Sequence, residues 1–255
     1  MRIAIVGYGR MGRMIEQIAR QRKHEVTLVV DPQISGDGPG QAELAKTPTA
    51  ESLTEADGAI EFSLPEGVKE NVARYIEAAV PAVIGTTGWL DQLDDITKRI
   101  KAADGALLYG ANFSIGAHVF FKAAEYATSL VAELPEYDLA VHEMHHSNKK
   151  DSPSGTALTL ANRVIAAHPR KSKIETARFD RAPEEDELHV SSTRGGAVPG
   201  THTLYLDSQA DTVEVRHTAR SREGFALGAV RAAEWLVGKK GVFEVEEFIS
   251  ELLER

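Results

Sequence analysis

The chain contains no cysteine, which excludes disulfides, thiolate metal ligands and cysteine nucleophiles together. No run approaches the roughly 20 apolar residues needed to span a bilayer, so no membrane partner is expected. The N-terminus, MRIAIVGYGRMG, passes from a short apolar run straight into glycines and charge. A secretory signal carries a longer apolar stretch and a small-residue cleavage site. Basic residues are in deficit, with 29 Lys and Arg against 38 Asp and Glu and a net charge of −9, which argues against a nucleic-acid partner. These absences together describe a chain expected in the cytoplasm.

The 255 residues suffice for one large domain or two smaller ones, and the 42% hydrophobic content is ordinary for a globular core. Residues 2–7 (RIAIVG) form a short β-branched apolar run ending in glycine, the pattern of a buried strand. Met11, Met14, Ile15, Ile18 and Ala19 recur at helical spacing. A strand over 24–31 leads into a loop rich in Gly, Pro and Asp over 31–40. Strands are then expected over 58–63, 81–88 and 105–113, with helices over 66–80 and 90–104. This alternation predicts an α/β, Rossmann-type doubly wound parallel sheet.

After Phe113 the pattern changes. Long helices are expected over 115–133 and 152–167, and strands over 137–144, 187–196, 201–208 and 212–219, the last three at hairpin spacing. This region reads as a second, α+β domain built on a mostly antiparallel sheet. Amphipathic helices over 224–239 and 244–254 close the chain.

GYGRMG (7–12) is G-x-G-x-x-G between a predicted strand and a predicted helix, the context that makes the spelling specific. Gly7 permits the tight turn, Gly9 lets the backbone approach a pyrophosphate, and Gly12 lets the helix pack on the strand. Tyr8, Arg10 and Met11 complete the loop, and the pyrophosphate would sit on the helix N-terminal amides. Asp31 ends the second strand, placed to bind the adenosine ribose hydroxyls. Pro32 and Gln33 follow it, with no adjacent Arg or Lys for a 2′-phosphate, so NADH is expected to serve at least as well as NADPH. GTTG and GANF also follow strands, so Gly85, Thr86, Thr87, Gly110, Ala111, Asn112 and Phe113 are candidates for the nicotinamide end.

HEMHH (142–146) satisfies the H-E-x-x-H of zinc proteases. That site needs a helix, whereas YDLAVHEM alternates like a strand: Leu139, Val141 and Glu143 against Ala140, His142 and Met144. Strand positions four apart lie about 13 Å apart, too far to share a metal, so no metal is expected. The following SPSGTALTLANR opens a helix, with Ser152 expected as N-cap and Pro153 at its first position. The amides of Ser154, Gly155 and Thr156 would then form an anion site. His145, His146, Lys149 and Lys150 lie just upstream. Such a set binds a small polyanion and carries a proton donor that titrates near neutrality.

HEMHHSNKKDSPSGTA closely resembles the signature of the dihydrodipicolinate reductase family, E-x-H-H-x-x-K-x-D-x-P-S-G-T-A. The similarity extends through GTTGW (85–89), ANFSIG (111–116), RGGAVPGTH (194–202) and HTARSREGFALGA (217–229). The chain departs from the family pattern in its shorter glycine loop, at Thr201, where an acidic residue is common, and at Pro32, where a basic one is. The resemblance implies NADH- or NADPH-dependent reduction of a small cyclic dicarboxylate in lysine and diaminopimelate biosynthesis. It implies His145 as proton donor, Lys149 as second donor and charge partner, and His146, Gly155 and Thr156 as binders of a substrate carboxylate. It further implies a dinucleotide-binding domain of residues 1–113 plus 222–255, a substrate-binding and oligomerisation domain of residues 114–221, and a homotetramer. The competing class is a non-catalytic dinucleotide-binding sensor, which would keep Gly7, Gly9, Gly12 and Asp31 but would not need the His–His–Lys cluster.

Overall fold

The computed structural model describes residues 1–34, 40 and 42–254, so residues 35–39 of the expected loop lie outside it. In chain order the elements are β1 (Arg2–Val6), α1 (Arg10–Gln21), β2 (Glu25–Val30), β3 (Glu43–Ala45), α2 (Ala50–Leu53), β4 (Gly58–Glu61), α3 (Val68–Glu77), β5 (Ala82–Ile84), α4 (Leu93–Ala102) and β6 (Ala106–Tyr109). There follow α5 (Ile115–Val131), β7 (Asp138–His145), α6 (Gly155–Ala167), β8 (Lys173–Glu175), β9 (Glu187–Arg194), β10 (Thr201–Asp207) and β11 (Thr212–Thr218). The chain closes with α7 (Glu223–Leu236), β12 (Gly241–Glu244) and α8 (Val245–Leu253). It divides into two compact units, residues 1–115 with 222–255, and residues 116–221. Among the described residues no helix is long and apolar enough to cross a membrane.

The first unit is built on a seven-stranded, all-parallel sheet in the order β12-β6-β5-β4-β1-β2-β3. Helices cover both faces, which is why β1 reads as a continuous apolar run. Ile3 and Ile5 enter a core with Ala229, Val230 and Phe248 of α7 and α8. Ala4 and Val6 enter the opposite core with Val68, Val72 and Ile96 of α3 and α4. Strand order reverses between β1 and β4, and ligands of such sheets bind at the carboxyl ends beside that reversal. The short elements β3, α2 and β12 have three or four residues each, too few for a periodic signal.

The second unit has a five-stranded sheet in the order β11-β10-β7-β9-β8. Its central strand β7 buries alternate residues, as its sequence predicts. Leu139 and Val141 pack with Phe120, Phe121 and Ala124 of α5 and Leu160 and Val164 of α6. The sheet is mixed: β10 runs antiparallel to β7 and β11, whereas β7, β9 and β8 are parallel. The hairpin spacing of β9 and β10 misleads, because β7 lies between them. A direct β9–β10 pair would push β7 toward an edge and leave its backbone groups without a second ladder. Strand β8, three residues long, carries no clear pattern.

Candidate active site

In the first unit the glycine loop joins β1 to α1. Gly7 has φ +89°, and a Cβ there would lie 2.2 Å from the Phe62 carbonyl oxygen. A Cβ at Gly12 would meet the Gly7 carbonyl oxygen at 2.2 Å, so both positions are closed by backbone. Gly9 is different: a Cβ there would meet nothing within 4 Å. Gly9 is also the N-cap of α1 and supplies no side-chain cap, so the first-turn amides remain available to an anion. The Asp31 carboxylate accepts the Tyr8 and Gln33 amides, each at 2.8 Å. It thereby ties the end of β2 to the loop. The Arg13 guanidinium lies over the Tyr8 ring at 4.7 Å.

A cavity of about 400 Å³ opens at the strand ends. Gly9, Arg10 and Met11 form one side and Gly85, Thr86 and Thr87 another. Phe62, Ser63, Pro65 and Arg222 also line it, and sequence reasoning missed all four. The strand-end position of 62–65 was the available signal for three of them; Arg222 arrives from the far end of the chain. Thr86 holds this rim together: its hydroxyl accepts the Ser63 amide at 2.8 Å, and its carbonyl accepts the Trp89 indole N–H at 2.8 Å. Residues 110–113 do not line the cavity. Gly110 packs against Val245, which a Cβ would meet at 2.5 Å. Phe113 is buried edge-on to Phe62 at 6.1 Å. Asn112 accepts the Ser114 amide at 2.9 Å.

In the second unit the polar residues gather at the end of β7. Glu143 and His145 are two apart on a strand and so share the face that bears Leu139 and Val141. His142 faces the other way and contacts the Ser191 hydroxyl at 2.8 Å. The H-E-x-x-H spelling therefore falls on a strand, as expected. Glu143 is fully buried. Its Oε1 accepts the Arg194 guanidinium at 2.7 Å and the Ser154 amide at 3.2 Å, while Oε2 pairs with Nδ1 of His145. Arg194 also donates to the Asp151 carbonyl at 2.6 Å.

Helix α6 begins later than its sequence suggests. Ser154, not Ser152, is the N-cap, and Gly155, not Pro153, is the first helical residue. The reason is local: Ser154 is extended, and its hydroxyl accepts the Ala157 amide at 3.2 Å. Its own amide serves Glu143, so the open first-turn amides are those of Gly155 and Thr156. A Cβ on Gly155 would meet nothing within 4 Å. Lys149 is ion-paired with Asp151 at 2.8 Å. The His146 backbone amide donates to Val198 at 2.8 Å, and its buried Nδ1 has no partner among the described residues. Lys150 is exposed.

His202 completes the cluster from β10, opposite Glu143 in register. Its ring meets that of His145 edge-on at 5.1 Å, and its Nε2 lies 3.0 Å from the Ser154 hydroxyl. Burial, and then the neighbouring His145, push its pKa down to about 4. Burial pushes the Glu143 carboxyl the other way, but the Arg194 guanidinium and the His145 ring outweigh it and hold the pKa at about 2. Glu143, His145 and His202 bring ligand atoms within 4.8 Å of one another. A cation there would compete with the guanidinium already on Glu143, so the charge balance suits an oriented imidazole better than a metal.

Comparison with known proteins places the chain in a family. Residues 1–113 match the family model "Dihydrodipicolinate reductase, N-terminus" and residues 116–249 match "Dihydrodipicolinate reductase, C-terminus". The chain is 39% identical to 4-hydroxy-tetrahydrodipicolinate reductase of Christiangramia forsetii, over 99% of each protein. It is 35% identical to the enzyme of that name from Archaeoglobus fulgidus, over 98% of this chain and 100% of the relative. A solved dihydrodipicolinate reductase from Paenisporosarcina sp. TG-14, bound to dipicolinate, shares the fold with a TM-score of 0.76 at 24% identity, covering 96% of this chain and 97% of that one.

Proposed function

The chain belongs to the dihydrodipicolinate reductase family, and from that premise we infer its reaction. It reduces 4-hydroxy-tetrahydrodipicolinate, by way of dihydrodipicolinate, to tetrahydrodipicolinate in lysine and diaminopimelate biosynthesis, using NAD(P)H. The observation that carries this reading is a buried, carboxylate-paired histidine beside an open helix N-terminus. An anionic heterocycle that gains a proton needs both features.

We assign residues 1–113 with 222–255 to cofactor binding, and residues 114–221 to substrate binding and to assembly of a homotetramer in the cytoplasm. The cavity beside Gly9 and the uncapped start of α1 fit a dinucleotide pyrophosphate. When bound, the nicotinamide supplies a hydride to C4 of the conjugated imine. Gly7, Tyr8, Gly9, Arg10, Met11 and Gly12 cradle the phosphates, and Asp31 takes the adenosine ribose. Gly85, Thr86 and Thr87 serve the nicotinamide end, and residues 110–113 back that rim from behind, where Phe113 packs on Phe62. His145 gives a proton to the electron-rich nitrogen system left by reduction. Lys149 assists it, exchanging Asp151 for a substrate carboxylate. His146, Gly155 and Thr156 hold a carboxylate at the start of α6. The half-exposed sheet face bearing Ala140, His142 and Met144 is a surface on which subunits can assemble.

The test is oxidation of NADH and NADPH with freshly generated dihydrodipicolinate. Turnover is expected, whereas no oxidation of either cofactor would favour the sensor. His145→Gln is expected to lower kcat by about 10²–10⁴-fold with cofactor binding intact. Wild-type turnover in that variant would remove His145 from the role. With Pro32 and Gln33 after Asp31, kcat/KM for NADH should equal or exceed that for NADPH; a large NADPH preference would contradict this.

A further inference from the structure

Glu143 is placed to do more than fill space in the sheet. Strand register sets Glu143 beside Ser192 and His202, and His145 beside Arg194. The carboxylate, the imidazole and the guanidinium thus come onto one face from two strands. Glu143 is fully buried with both oxygens occupied: Arg194 and the Ser154 amide on Oε1, His145 Nδ1 on Oε2.

We propose that Glu143, clamped by Arg194, is the positioning residue of the proton donor: it holds the hydrogen of His145 on Nδ1 and so leaves Nε2 as the nitrogen that exchanges the catalytic proton. This rests on His145 being the donor, as inferred above.

The Glu143–His145 hydrogen bond has two possible directions, and the charge around Glu143 chooses between them. A carboxylic acid would donate to a bare Nδ1; a carboxylate can only accept, and Nδ1 must then carry the hydrogen. The guanidinium at 2.7 Å keeps Glu143 ionised near neutrality. The other nitrogen of His145 is consequently the one left to exchange a proton with substrate.

The space at Nε2 is kept by a glycine. A Cβ on Gly200 would stand 2.8 Å from Nε2, and Gly200 has φ +152°, where a side chain is disfavoured. His202 does not duplicate the donor, because its Nε2 is engaged with the Ser154 hydroxyl. The titratable and charged groups about the cluster are Glu143 on β7, Arg194 on β9, His202 on β10, His217 on β11, and Lys149 with Asp151 in the loop after β7.

Glu143→Gln keeps the shape but can donate to Nδ1 and so favour the other tautomer. A mispositioned or wrong-tautomer histidine in a carboxylate–histidine pair loses several orders of magnitude in other enzymes. We expect kcat to fall by about 10²-fold, with the KM of the substrate changed by less than about threefold and NADH binding unaltered. In the His145→Gln background the same substitution should add less than about threefold, because its effect passes through His145. Ring ¹⁵N NMR of the wild-type enzyme should show neutral His145 protonated on Nδ1, which tests the tautomer without any variant that risks misfolding.

Near-wild-type kcat in Glu143→Gln overturns the proposal. So does a full loss that repeats in the His145→Gln background, as a purely structural role would give, or a bare Nδ1 in the neutral ring. If His145→Gln itself turns over normally, the donor assignment fails first. If His145→Gln is slow and Glu143→Gln is fast, only the positioning role fails.

Discussion

Glu61 at the end of β4 and Glu143 near the end of β7 are both fully buried carboxyl groups, yet burial prevails at one and not at the other. Glu61 receives only neutral donors: the Ser63 hydroxyl, the Asn71 amide at 2.8 Å and the Tyr75 hydroxyl at 2.7 Å. Those bonds do not offset the loss of water, and burial raises its pKa. Glu143 adds a guanidinium and an imidazole to its donors and lies less deep in the protein, and its pKa drops to about 2. The lesson is that satisfaction of hydrogen bonds and survival of charge are separate matters. The first network braces the rim of the strand-end cavity through Ser63; the second holds a charged carboxylate against the His145 ring.

The largest effect should come from removing the cation. Arg194→Leu leaves the buried Glu143 to the His145 ring and the Ser154 amide, and denaturant unfolding should show a loss of about 3–5 kcal/mol. A loss under about 1 kcal/mol would mean that Arg194 does not distinguish the two carboxyls.

A smaller effect should appear with pH. Glu143 binds its proton more weakly folded than unfolded, so its stabilisation is complete above 4.5 and is lost as pH falls toward about 2. His202, pushed down from 6.5 to about 4, acts in the same sense: its contribution is whole above 6.5 and disappears as pH falls through 4. Glu61 has the opposite sign, because its raised pKa makes its contribution decline as pH rises above 4.5. Acidification should therefore weaken residues 116–221 before the parallel-sheet unit. Hydrogen exchange across pH 6.5 to 4 checks this, and earlier loss of protection in β4 than in β7 would reverse the comparison. The smallest effect is expected for Glu61→Gln, about 1 kcal/mol or less, since its partners are neutral and can reorient. A loss as large as that for Arg194→Leu would show that Glu61 also bears an essential charge.

The parallel-sheet unit was largely legible in its sequence. Strand, glycine turn, helix and Asp31 follow one another within 31 residues, and each is set by local sterics or period. The alternation of YDLAVHEM likewise placed β7 and excluded a zinc-protease helix. What escaped was non-local. The start of α6 shifted from Ser152 to Ser154 because the Ser154 hydroxyl and amide find Ala157 and Glu143. The apparent β9–β10 hairpin opened to admit β7. Arg194 is far from Glu143 in sequence, and Arg222 farther still from Gly9, so neither carries a spacing signal.

By itself the sequence determined the α/β and α+β halves, the glycine loop between β1 and α1, and the cluster of His145, His146 and Lys149 ahead of α6. Those features depend on side-chain period, glycine sterics and local capping, all of which act within a few residues. Tertiary structure alone decided which carboxyl stays charged and which nitrogen of His145 is tied. Both depend on what neighbouring strands place within about 3 Å in a medium that excludes water, where charged partners can outweigh the effect of burial on a pKa.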